Sequence, residues 1–288
     1  MGDLNTQGQG ESIPDPAKIE GDLVRLLEAL AKLGDQCDKH AVEKGDEVRH
    51  HATGLAFKLF RHAASALTLV RDGSTLGPHH PRFLDAPSVS TVARAAWESF
   101  LLFHHIFIDV ADDYERTMRH RRWLLEGVRF RQSYEALDLE QEKQKKEEIE
   151  KISTWEEDIR ANPVFQRWCP DCRDHFLKRQ RWRPGWGDLA ARAGIVKQYG
   201  RDHYSHLCDY AHSGSLSVIG QMDDQDPKRI QLLRVTAAGI LAIAVANVIE
   251  GLGVLFPGLS TLIGPEESGL VEHWVGIGHG HESQASGG

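Results

Sequence analysis

The hydrophobic pattern is helical from one end of the chain to the other. Ile19, Leu23, Leu26, Leu27, Leu30 and Leu33 recur at steps of three and four, the spacing of one helix face, and Gly34 reads as the stop. Cys37 and His40 then fall in a polar link. Val48, Leu55, Leu59, Leu67 and Val70 predict a second helix over 46–71, closed by Asp72-Gly73. The Pro and Gly density of 77–87 predicts a loop. Ser88 or Ser90 can cap a third helix reaching Val110, with Val92, Ala96, Phe100, Phe103 and Phe107 on its apolar face.

Residues 112–160 continue as helix with few breakers. The first half carries Arg116, Arg119, Arg121, Arg122, Arg129 and Arg131; the second is rich in Glu and Lys. That combination predicts a protruding helical arm with a solvated charged face, or a surface for a second copy of the chain. Asn162-Pro163 ends it. Asp188 is a natural cap for the short helix LAARAG, and a further helix is predicted over 194–217. The run 230–255 is apolar almost throughout, but Glu250 and several glycines interrupt it, so it reads as a buried central helix and no membrane span is expected. No alternation is long enough to build a sheet. The fold class is all-α: a bundle of about six helices in a single domain over 17–260, with disordered tails at 1–16 and 276–288.

Composition changes this picture little. Hydrophobic content of 41% and charged content of 26% are ordinary for a globular chain of 288 residues. A net charge of −8 argues against attraction of the whole surface to nucleic acid or acidic membranes, leaving room for local basic patches. Four cysteines do not make a disulfide framework and the polar N-terminus has no apolar signal core, so the expected location is cytoplasmic.

Candidate chemistry gathers in 194–217. On a wheel of about 100° per residue, Arg201, Ser205, Cys208 and His212 fall within a stripe roughly 60° wide, with Tyr204 at its edge and His203 and His206 opposite. Arg94, Glu98, His105 and Asp109 form a second polar stripe on the third helix, and Arg94 and Glu98 are one turn apart, close enough to pair. A buried polar stripe must find partners. The two stripes are therefore expected to meet, with Arg94, Glu98, Ser205 and Asp209 as the supporting set. A plain structural hydrogen-bond network fits the same residues.

Three other patterns bear on chemistry. Cys169-x-x-Cys172 with His175 offers ligands for a structural zinc, completed by Cys37, His203 or Cys208; a redox pair and inert thiols are the competing readings. Glu47-x-x-His50 supplies half of a di-iron ligand set, and Asp209-x-x-His212 only approximates the other half. Between Arg167 and Arg183, basic residues interleave with Trp168, Phe176 and Trp182, a pattern that suits RNA or, equally, core aromatics with a solvated flank. No Gly-rich phosphate loop, Gly-x-Ser-x-Gly elbow or His-Glu-x-x-His motif is present, so no cofactor is required.

Trp186, LAARAG, Tyr199 and Tyr204-Ser205-x-x-Cys208-x-x-x-His212, with Arg94-x-x-x-Glu98 upstream, resemble an uncharacterised all-helical bacterial domain-of-unknown-function family over 89–217. This resemblance implies a fold but no activity. Arg201-Asp202-x-x-x-His206 is similar to the Arg-polar-x-x-x-His motif of the higher-eukaryote and prokaryote nucleotide-binding (HEPN) superfamily. That resemblance implies a metal-independent endoribonuclease of a bacterial defence or toxin system, working as a homodimer. Arg201 would stabilise the phosphate, and His206 or His212, with Tyr204 beside them, would move protons.

Metal-free RNA cleavage needs a base for the 2′-hydroxyl, an acid for the leaving oxygen and a cation over the phosphate. Imidazole and guanidinium groups supply these. On a regular helix His206 stands about 140° from Arg201, and the superfamily's dimer cleft is what the resemblance offers to bring such groups together. A non-enzymatic partner- or ligand-binding protein and a zinc-stabilised binding module are the alternatives.

Overall fold

The computed structural model describes residues 14–178, 182–211, 214–215, 218–219 and 226–281, an all-α fold with no strand among the described residues. Helix α1 (Pro16–Glu43) starts at Asp15, whose carboxylate accepts the Ala17 N–H at 3.0 Å. It runs straight through Gly34, where a stop was expected. Its buried face continues as Leu33, Cys37 and Ala41, and burying those residues outweighs the roughly 1 kcal/mol that a mid-helix glycine costs. Helix α2 (Glu47–Asp72) is capped by Asp46, close to the expected start. Helix α3 (Ala86–Phe103) is capped by Asp85, which accepts the Ser88 N–H at 3.1 Å, and not by Ser88 or Ser90. It widens into a π turn at His104–Ile108.

Residues 112–160, expected as a charged helical arm, form two helices, α4 (Asp113–Gln132) and α5 (Leu139–Ala161), and the basic half is not a solvated face. Arg119, His120 and Arg122 are buried. Four of the six α4 arginines reach a backbone carbonyl, Phe107 for Arg116, His105 for Arg119, Phe176 for Arg122 and Leu177 for Arg129, while Arg121 pairs with Glu47 and Asp158 and Arg131 with Glu148. Short helices α6 (Pro163–Arg167), α7 (Pro170–Lys178) and α8 (Trp186–Arg192) follow. Asp188 lies inside the first turn of α8, which Gly185 precedes, so it is not the cap. Gly194 closes the helix at φ +74°, a conformation that side-chain-bearing residues adopt at a cost.

Helix α9 (Tyr204–Ala211) comes next, then α10 (Pro227–Leu255) and α11 (Pro265–Gly278). Helix α11 was not expected: it lies between the expected domain end at 260 and the expected tail at 276–288, and overlaps that tail only at 276–278. Residues 1–13 and 282–288 of the two expected tails lie outside the described residues.

Helix α10 is the centre of the packing. By length and composition it could cross a membrane. Here α1, α2, α3 and α11 pack around it, and its residues from Ala237 to Leu252 are buried with few exceptions. At Gly251 it comes so close to α3 that a Cβ would stand 2.6 Å from Phe103 Cε1, a contact only glycine avoids. Glu20 of α1, almost fully buried, ties this core together: Arg234 of α10 grips it at 2.7 and 2.9 Å and Arg71 of α2 reaches it at 3.3 Å. On its other side α3 packs against α9. That contact sets the geometry of the first candidate site.

Candidate functional site

The segment before α9 is itself a π turn, Gln198–His203. Hydrogen bonding from i to i+5 widens the turn and rotates later side chains away from a regular wheel. The expected stripe is therefore divided. Tyr204 turns inward, donating its hydroxyl proton to Glu98 Oε1 at 2.8 Å. Arg94 Nε donates to the same oxygen at 2.9 Å, and its guanidinium lies 5.7 Å from the Tyr204 ring centroid. Burial, and after it the Glu98 carboxylate, push the Tyr204 phenol above its ordinary pKa, so it stays protonated and remains a donor. Cys208, half-buried, adjoins the same hydroxyl. Removing that hydroxyl with Tyr204→Phe should lower stability by about 1 kcal/mol, read as an earlier midpoint in urea unfolding. An unchanged midpoint would mean the bond carries no weight.

Two neighbours face outward. Arg201 is exposed at a cavity of about 530 Å3 lined by Trp186, Lys197, Tyr204 and Ser205, and it has no side-chain partner among the described residues. His206 is also exposed but lines a different cavity, of about 420 Å3, with Asp202, His203, Tyr210 and Arg229. Within one copy the two do not share a site. His203 is held below its ordinary pKa by burial, with its Nδ1 unbonded among the described residues. Asp209 is half-buried, and its backbone carbonyl accepts the Gly214 N–H at 3.0 Å. His212 lies outside the described residues.

The far end of the α3 stripe belongs to a second site, which the sequence reasoning did not assemble. Asp109 Oδ2 stands 3.5 Å from Arg119 and 3.5 Å from Arg192. Arg119 donates to His105 Nδ1 at 3.0 Å, which leaves the ring proton on Nε2. Burial, followed by the charge of Arg119, lowers the His105 pKa to about 3. His105, Arg119 and Arg192 line a cleft of about 750 Å3 together with Trp168, Trp182 and the pair Cys169–Cys172, which is joined as a disulfide across a Cα separation of 5.2 Å. His175 lines the same cleft. The two sulfurs considered as zinc ligands are thus bonded to each other here, and among the described residues no group of three or more His, Cys, Asp or Glu is disposed to hold a metal.

The contributors to this cleft are scattered over the π turn after α3, over α4, α7 and α8 and over the links between them, so the stripe residue His105 and the Cys-x-x-Cys pair with His175 gave separate signals that the sequence did not join. In the Arg167–Arg183 segment, Trp182 is a core residue whose Nε1 donates to Glu126 at 2.9 Å. Arg183 lies over the Trp186 ring, 3.6 Å from its centroid. Residues 179–181 are outside the described set. No protein-family model, curated protein or solved structure matches the chain.

Proposed function

We propose that the chain is a metal-independent endoribonuclease of the HEPN kind that works as a homodimer. Arg201 holds the scissile phosphate and His206 transfers protons. The observation that supports this is the division of labour on one short segment: Tyr204 is tied inward to Glu98 while Arg201 and His206 stay exposed. The Tyr204–Glu98–Arg94 node is then a positioning device rather than part of the chemistry. A base takes the 2′-hydroxyl proton, the 2′-oxygen attacks phosphorus, and the 5′-oxygen leaves with a proton from an acid. Arg201 offsets the charge that builds on the phosphate. Because Arg201 and His206 line separate cavities in one copy, the reading requires Arg201 of one copy to meet His206 of the other.

The test is cleavage of single-stranded RNA in excess chelator. Arg201→Ala and His206→Ala should each lower the rate by about 100-fold with folding intact. Either variant cleaving at the wild-type rate contradicts the assignment. A second, non-enzymatic reading is favoured by the cavity beside Arg201, where Lys197 and Trp186 suit a small anionic ligand. In that case Arg201→Ala weakens ligand binding and no RNA is cut.

A further inference from the structure

We propose that Cys169 and Cys172 are a redox-active dithiol–disulfide pair that reduces a low-molecular-weight disulfide held in the cleft beside them. Both cysteines are exposed, and they open the N-terminus of α7. The Cys172 N–H points at Cys169 Sγ, 3.1 Å away, and the positive end of the helix favours a thiolate on that sulfur. Cys37 shows the opposite setting: it is fully buried, and burial pushes its thiol up to about 12.

The cleft of about 750 Å3 falls within the range of small-molecule sites. Trp168 and Trp182 give it aromatic walls, and His105 is uncharged at neutral pH. Arg119 is neutralised by Glu115 at 2.6 Å and by Asp109. Among the described lining residues, Arg192, whose side chain is half exposed and whose contact with Asp109 is long, is the cation placed to meet a substrate carboxylate. A carboxylate-bearing peptide disulfide of the glutathione class fits this lining.

The exchange balances as follows. In the reduced protein the Cys169 thiolate attacks one substrate sulfur, the substrate S–S bond breaks, and the first substrate thiolate leaves and is protonated by water. Cys172 gives its proton to solvent and attacks Cys169 Sγ. This breaks the mixed disulfide, releases the second substrate thiol and forms the protein disulfide. Two electrons pass from the cysteine pair to the substrate. A dithiol reductant, small molecule or protein, resets the pair by the same steps in reverse. This activity is independent of Arg201 and His206.

The experiment uses the full chain, reduced, desalted and mixed with oxidised glutathione, with each cysteine followed by alkylation and mass spectrometry. The expected result is closure of Cys169–Cys172 at least about tenfold faster than any modification of Cys208, with Cys37 inert. Cys172→Ser should accumulate glutathione on Cys169, and Cys169→Ser should lose the fast phase. Arg192→Ala should slow the reaction with oxidised glutathione several-fold more than that with the uncharged hydroxyethyl disulfide. Three results would overturn the proposal: Cys169 reacting no faster than Cys208, Cys172→Ser carrying glutathione elsewhere or nowhere, and one equivalent of bound zinc protecting both thiols of the reduced protein. Equal slowing of both disulfides by Arg192→Ala, or slowing of neither, would overturn the substrate class.

Discussion

Arg122→Ala is expected to lower stability by about 3 kcal/mol, a large loss for one side chain on the outer layer of the fold. Arg122 is only 2% exposed. Its Nε donates to the Phe176 carbonyl at 2.5 Å, and its guanidinium lies 5.6 Å from the Trp182 ring centroid. Two turns along the same face of α4, Arg129 donates to the Leu177 carbonyl at 2.5 Å. Helix α4 therefore presents two cations to the carbonyl end of α7, where the helix dipole is negative and orphan acceptors need donors. Burial lowers the Arg122 pKa to about 10, which still leaves it charged at neutral pH. Alanine would leave the buried Phe176 carbonyl without this donor and open a void against Trp182, while the packing of Phe176 and Leu177 and the Arg129 bond remain. Urea unfolding followed by far-ultraviolet circular dichroism measures the loss. A change below about 1 kcal/mol would show that α7 is docked by other means.

Acid should unfold the protein earlier than its surface carboxylates alone would dictate. His105 and His120 are buried, and burial, reinforced by neighbouring cations for His105 and by His51 and Arg121 for His120, lowers both pKa values to about 3. Well above pH 6.5 both imidazoles are neutral in the folded and the unfolded chain, and neither contributes a pH dependence. As pH falls through 6.5 the unfolded chain takes up protons that the fold excludes, so stability declines until about pH 3, where the folded imidazoles also titrate. Together they should remove on the order of 5 kcal/mol between pH 7 and pH 4.

Glu47 and Glu156 act in the same direction at lower pH. Burial opposes their ionisation, but Arg121 beside Glu47, and Arg160 and Arg129 beside Glu156, outweigh it and hold both below the usual carboxylate range. Unfolding midpoints at pH 7.5 and 4.5 test this, with the double variant His105→Gln/His120→Gln beside the wild type. The variant should be less stable at pH 7.5 and show the shallower decline. A decline as steep as the wild type's would assign the acid sensitivity elsewhere.

The parts of the fold legible in the sequence were those whose burial follows a single helical period. Helix α2, the apolar α10, and the meeting of Glu98 with the Tyr204 region all belong to this class. Gly34 misled because a local breaker signal was overridden by the continuing apolar face at Cys37 and Ala41. The charge pattern of α4 misled because arginines are buried when distant carbonyls, such as those of Phe176 and Leu177, receive them, and that partnership leaves no trace in sequence spacing. The π turn at Gln198–His203 defeated the regular wheel, so Tyr204 rather than Arg201 and Ser205 became the inward group. The disulfide cleft draws on the π turn after α3 and on α4, α7 and α8, and a one-dimensional motif shows only the cysteines and His175.

Mixing two inactive variants tests the shared-site reading most directly. Arg201→Ala and His206→Ala chains, unfolded together and refolded, form half their dimers as heterodimers. Each heterodimer retains one site with both Arg201 and His206 if the site is built across two copies. The account predicts that the mixture recovers about a quarter of the wild-type RNA-cleaving rate while each variant alone stays inactive. A mixture as inactive as its components, with heterodimers present, would contradict it.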